Sequence, residues 1–310
     1  MVLQTVTLLF VLTMASGMPI ALAIGVTALG GILMMQGIPL VVIPQKMFIG
    51  TDAFPLLAIP LFVLGGDLML KGEITRGLIR FADLLVGRMR GGLAHATIFS
   101  CMIFAGITGS AVADASAIGS VMIPAMNSAG YPKNYSAAVT AAASIMGPII
   151  PPSLVMVFYS LVTGASVGGL FMAGVVPGVL IAASLMVINY IISRRNGYQR
   201  RETRYTWPET IRICRDSILV LLMPIIIVGG ILGGIFTATE AAGVGVVYAL
   251  LVGFFVLRTL KLRDLPEMFM NTARVTSVVL LLLATTNVLS WIVTMQNVPQ
   301  RTLAFFTSIS

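Results

Sequence analysis

The sequence predicts an all-α, polytopic membrane protein, and three observations carry that prediction. Of its 310 residues, 58% are apolar and only 10% charged, with a mean hydropathy of +1.02. Soluble domains hold about 25% charged residues, so this chain has too few to coat a solvated surface. The 31 glycines and 15 prolines fall mostly inside the apolar stretches, where membrane helices tolerate both better than soluble ones do. The cations, finally, are clustered. Sixteen of the nineteen lie in three windows, Lys71 to Arg90, Arg194 to Arg215 and Arg258 to Arg274, leaving only Lys46, Lys133 and Arg301. Basic clusters between apolar segments mark cytoplasmic loops. A net charge of +8 distributed in this way describes membrane orientation and excludes a nucleic-acid-binding face. Two cysteines and one histidine provide neither a disulfide framework nor a zinc site.

The elements follow from the need for roughly 20 apolar helical residues per crossing. No Lys or Arg precedes the apolar start, so the first segment reads as an uncleaved span rather than a signal peptide. Leu3 to Ser16 and Pro19 to Gln36 are two segments split at Gly17, and a loop around Pro44 to Phe48 follows. Phe54 to Leu70 crosses inward to the first basic window. His95 to Gly106 and Ala115 to Ala125 are arms too short to span with ease, separated by a break at Ile107 to Asp114. They read as a re-entrant hairpin over about 93–127. A helix over 135–163 is interrupted at Gly147 to Ser153, and Val167 to Ile192 leads to a basic cytoplasmic linker at 193–216. Ser217 to Ile235, Thr239 to Leu257 and Val275 to Met295 then cross in turn. This parity places the N-terminus outside.

A pattern recurs at an offset of roughly 215 to 225 residues. Two helical segments with a break, then a loop (Pro44-Gln45-Lys46-Met47-Phe48, echoed by Pro266-Glu267-Met268-Phe269), then one span occur in residues 1–192 and again in 217–310. The charge count gives the two copies opposite orientations. Inverted repeats of this kind are an architecture of secondary transporters. The second copy is partial: by analogy with the first it should continue into another hairpin and broken helix, which makes the chain a C-terminally truncated form of a longer protein.

Two places combine polar residues with broken helices inside the membrane, where irregular backbone persists only when buried or lining a cavity. At Gly106 to Asp114, Thr108 and Ser110 supply hydroxyls, Gly109 frees backbone groups, and Asp114 carries a charge too costly at that depth to lack a partner. At Gly147 to Ser153, Pro148, Pro151 and Pro152 each remove an amide donor. The helix restarting at Ser153 presents unpaired amides that attract anions. The candidate ion- and substrate-binding residues are therefore Thr108, Gly109, Ser110, Asp114, Gly147, Pro148, Pro151, Pro152 and Ser153. Thr108, Ser110 and Gly147 are candidate Na⁺ ligands. Glu240 reads as part of a helix cap with Thr237 or Thr239, Asp67 as a structural partner of Lys71, and His95 as a satisfied interfacial histidine. A serine hydrolase is disfavoured because no base and acid are placed to activate Ser110.

The stretches Pro55 to Phe62, Arg90 to His95, Gly109 to Asp114, Ile123 to Met126, Gly147 to Ser153 and Phe236 to Ala242 occur in an order that resembles the large permease subunit of tripartite ATP-independent periplasmic (TRAP) transporters. The resemblance implies an elevator-type, Na⁺-coupled importer in the bacterial inner membrane, with Na⁺ as coupling ion and no other cofactor. Its implied partners are a small membrane subunit and an extracytoplasmic solute receptor that delivers a small organic acid, typically a carboxylate. It also implies that the Thr108 to Asp114 turn is a hairpin tip facing the unwound segment at Gly147 to Ser153. A receptor-independent ion exchanger of similar inverted-repeat build is the alternative reading.

Overall fold

The computed structural model describes residues 2–35, 37–70, 73–198 and 205–309, and among them every regular element is helical. Among the described residues, four single helical stretches are long and apolar enough to cross a membrane: Val167–Arg195, Trp207–Leu232, Ala238–Val256 and Leu262–Met295. Their packing resolves into two units, Met1–Phe54 with Ala273–Ser310, and Pro55–Thr272.

In the first unit, α1 (Val2–Ala15) and α2 (Ile20–Leu33) reverse direction at Gly17, whose φ of 77° only glycine adopts without strain. Each has 14 residues and is about 21 Å long at 1.5 Å per residue. Both are therefore shorter than a hydrocarbon core about 30 Å thick. α3 (Val42–Thr51) is a helix where a loop was expected. Pro44 sits in its first turn, where a missing amide donor costs nothing because that donor has no intrahelical acceptor. Pro266 does the same at the start of α13 (Leu265–Met295), which begins ten residues before the expected Val275. From Ala273 onward α13 belongs to this unit. Val6, Ala28, Ile32, Val288 and Ile292 form its core, with Gly31 letting Val6 and Ile292 close on the α2 backbone. α14 (Val298–Ile309) ends the described chain.

The second unit runs from a short 3₁₀ turn at Phe54–Leu57 into α4 (Ala58–Leu70) and α5 (Glu73–Val86), then α6 (Gly92–Thr108) and α7 (Ala111–Ser128). α8 (Lys133–Ser144), α9 (Leu154–Thr163) and α10 (Val167–Arg195) follow. α11 (Trp207–Leu232) and α12 (Ala238–Leu251, extended by a π-helical turn to Val256) complete it. α11 starts inside the stretch assigned to the basic linker because the Glu209 carboxylate accepts from both the Thr206 amide and hydroxyl, at 2.8 and 2.9 Å. That contact caps the helix ten residues earlier than hydropathy indicated.

α4 packs mainly on α12, and Gly65 admits the Met223 and Val246 side chains. α10 turns a broad apolar face outward, including Val176, Leu180, Val187 and Ile191, as a helix bordered by lipid does. The Lys71 partner expected for Asp67 lies outside the described residues. Asp67 instead accepts from the Asn271 amide at 2.7 Å. Glu240 caps α12 as expected, accepting from the Thr237 amide and hydroxyl at 2.8 and 2.9 Å. His95 departs from expectation: it is fully buried, and neither ring nitrogen makes a well-formed hydrogen bond. Residue 95 falls one turn inside α6, whose start at Gly92 is packed against the backbone of Gly87, so the ring is enclosed rather than interfacial.

Candidate functional site

The hairpin break is narrower than the sequence indicated. α6 runs on to Thr108 and α7 begins at Ala111, which leaves only Gly109 and Ser110 between them. Gly109 ends α6 with φ 61°, and the Ser110 hydroxyl starts α7 by accepting from the Ala113 amide at 3.4 Å. A left-handed glycine ending one helix, followed at once by a serine N-cap starting the next, makes a compact reversal. Asp114 consequently lies in the first turn of α7 rather than ahead of it.

The second break spans Ile145 to Ser153, with α9 starting at Leu154. Several carbonyls before and within it are engaged. Ala143 and Ser144 accept from Met146 and Gly147, and Met146 accepts from both Ile149 and Ile150. The Ser153 hydroxyl donates to the Pro148 carbonyl at 2.6 Å and accepts from the Met156 amide at 3.3 Å. Ser153 thus closes the loop and caps α9 at once.

The two breaks meet. A methyl carbon built on Gly147 would lie 2.7 Å from the Ser110 carbonyl carbon, 2.8 Å from the Ala111 nitrogen and 2.9 Å from Asp114 Oδ2. One built on Gly109 would lie 2.5 Å from the Pro152 carbonyl oxygen and 3.2 Å from Ser153 Cα. Glycine is required at both positions because backbone rests directly on backbone. Eight of the nine candidate residues come together here: Thr108, Gly109, Ser110, Asp114, Gly147, Pro148, Pro152 and Ser153. Pro151 stands at the edge, its carbonyl oxygen facing Gly106.

Asp114 is the one charge in this junction. It is fully buried; Oδ1 accepts a short hydrogen bond from the Thr108 hydroxyl, and Oδ2 has no partner. The Ser110 amide donates to Thr108 Oγ1 at 3.3 Å, which completes a ring of contacts around the tip. A buried carboxylate oxygen without a partner is costly, and a cation beside it removes the cost. The nearby donors are hard oxygens, from a hydroxyl, a carboxylate and backbone carbonyls, the set that hard cations take. No group of three His, Cys, Asp or Glu is close enough to hold a metal among the described residues.

Residues that carry no polar atom position this junction, and sequence reasoning did not single most of them out. Gly66 of α4 lies against Thr108 Cα, and Pro224 of α11 against Gly106. On α10, Gly174 receives the Ile149 carbonyl and Gly178 the Ile150 side chain. Glycines four apart in an apolar helix signal a close approach, but nothing local says what approaches. At the far end of the hairpin, buried Asn189 of α10 donates to the Gly91 carbonyl at 3.4 Å and accepts from Tyr135 at 2.6 Å and Ser193 at 3.2 Å. One amide thereby ties the starts of α6 and α8 to α10.

An all-helical membrane chain whose two interrupted helices press their breaks together around a buried carboxylate has the build of a solute transporter. Residues 7–310 match the family described as the tripartite ATP-independent periplasmic transporter, DctM component. The chain is 38% identical over 295 residues to the sialic acid TRAP transporter large permease protein SiaM of Vibrio cholerae, covering 95% of this chain and 69% of that one. It is 36% identical over 309 residues to the C4-dicarboxylate TRAP transporter large permease protein DctM of Rhodobacter capsulatus, covering 94% and 69%. It is also 38% identical over 290 residues to the isethionate TRAP transporter permease protein DctMQ of Oleidesulfovibrio alaskensis, covering 94% and 46%. The chain belongs to the TRAP transporter large permease family. It is a multi-pass inner-membrane transport component and not an enzyme.

Proposed function

We propose that this permease imports a small organic acid, typically a carboxylate, by Na⁺ symport, receiving its substrate from an extracytoplasmic receptor and working beside a small membrane subunit. The observation that carries the coupling is the unpartnered, fully buried Oδ2 of Asp114 at the meeting of two helix breaks. Na⁺ at that oxygen, with Thr108, Ser110 and the Gly147 segment supplying further oxygens, neutralises the carboxylate and draws the two breaks together. The start of α9 at Ser153 supplies unpaired amides for an anionic substrate group close by. The organic acids in the printed names of the relatives support the substrate class. The three basic windows support a periplasmic N-terminus.

Proteoliposomes containing the permease with its two partner components test the reading. Uptake of the receptor-bound acid is expected to collapse without a Na⁺ gradient and to fall at least tenfold in Asp114→Asn. Full uptake on a proton gradient alone would refute sodium coupling. Uptake without any receptor would favour the ion-exchanger reading.

A further inference from the structure

An open apolar groove of about 270 Å³ lies in the first unit, between α2, α3 and α13. Val26, Leu29, Ile43, Met47, Thr285 and Val288 are among the residues that line it. Its one hydroxyl, on Thr285, is bonded within its own helix to the carbonyls of Leu281 and Leu282. The wall is therefore apolar in effect.

One end of the groove differs. Lys46 follows Ile43 by three residues on α3, and Trp291 follows Val288 by three on α13, so each sits one helical turn beyond a lining residue on the same side. The two meet there, with the Lys46 ammonium 5.7 Å from the centre of the Trp291 ring. The Asn287 amide holds the Lys46 backbone carbonyl at 3.0 Å, which fixes α3 on α13 at this point. A cation over an aromatic face keeps its N–H groups free for a further partner. Lysine and tryptophan together are the pair that anchors membrane proteins at headgroup level.

We propose that this groove binds an anionic phospholipid, with an acyl chain along Val26, Leu29 and Met47 and the phosphate at Lys46. Charge selects that occupant over a helix of another protein. Lys46 is the only cation in the first 54 residues, and it stands at the mouth of a groove with no other charge. The complementary ligand is therefore apolar along its length with one anionic end. The site lies apart from the ion junction and does not rest on the Na⁺ reading.

The chain has two tryptophans, so Trp207→Phe leaves Trp291 as the sole reporter. In lipid nanodiscs of fixed composition, a small fraction of phosphatidylglycerol brominated on its acyl chains is expected to quench Trp291 several-fold more than identically brominated phosphatidylcholine. Lys46→Gln is expected to abolish that preference, and Val26→Phe, which fills the groove, to abolish it as well. Equal quenching by the two lipids overturns the proposal, as does a preference that survives either substitution. Quenching by neither lipid overturns it too, since the groove is then covered by protein. Unchanged emission maximum and elution volume establish that each variant is folded.

Discussion

The two breaks that meet at the junction are built in opposite ways. Between α6 and α7 the chain reverses in two residues, Gly109 and Ser110, and keeps a charge one turn on at Asp114. Between α8 and α9 it takes nine, Ile145 to Ser153, with three prolines and no charge. Both finish alike, with a serine capping the next helix at Ala113 and at Met156. The difference separates two tasks. The short break holds chemistry, a carboxylate oxygen with no protein partner. The long break supplies shape: it brings Gly147 against the hairpin tip, with the Met146 and Pro148 carbonyls engaged inside the loop.

Four substitutions test this division, in order of falling effect. Asp114→Asn removes the only charge at the junction and is expected to abolish measurable Na⁺ stabilisation in thermal unfolding, with the fold retained. A wild-type Na⁺ response in this variant would move the ion site elsewhere. Gly147→Ala forces a methyl group to within 3 Å of the Ser110 and Ala111 backbone. Overpacking of this kind costs about 1–3 kcal/mol, so both the unfolding temperature and the Na⁺ affinity should drop; a neutral result would mean that the breaks do not stay in contact. Ser153→Ala loses the cap of α9 and leaves the Pro148 carbonyl without its donor. A stability loss of about 1 kcal/mol is expected, with a smaller Na⁺ effect than at Asp114. Were Ser153→Ala to cost more Na⁺ affinity than stability, the Ser153 hydroxyl too would be a ligand. Ser110→Ala removes a long 3.4 Å cap while keeping the Ser110 backbone oxygen for Na⁺, and should cost the least stability, in the lower part of the range of about 0.5–2 kcal/mol for caps. Unfolding temperatures measured side by side rank the two serines.

Much of the junction was legible because breaks are local. Left-handed glycine followed by serine, and proline in clusters, interrupt a helix whatever surrounds them, and a lone intramembrane aspartate marks itself by its cost. The Thr237 and Glu240 cap was legible for the same reason. Where hydropathy alone was available, the reading failed. The stretches at Pro44 and Pro266 read as loops, but they form the first turns of α3 and α13, positions where proline is harmless. α11 was started at Ser217, although its cap lies at Thr206. His95 was placed at an interface, and burial encloses it.

The helix partners were invisible in the sequence, and they have a pattern of their own. α4 packs on α12, which follows it by about 170 residues. α13 packs on α1 and α2, at the other end of the sequence. Each packing depends on glycine, Gly65 in one and Gly31 in the other.

By itself the sequence determined the solvent this chain needs, the direction implied by its cations, and the places where its helices must stop. Each is set by composition or by a few adjacent residues. Tertiary structure alone decided that Gly147 touches Asp114, that Gly109 touches Pro152, and that Lys46 closes over Trp291 at the head of a groove. Those meetings join residues between 33 and 245 positions apart. In a membrane, where lipid is as apolar as leucine, hydrophobicity cannot select such partners; close fit between glycine surfaces and a small number of polar contacts select them instead.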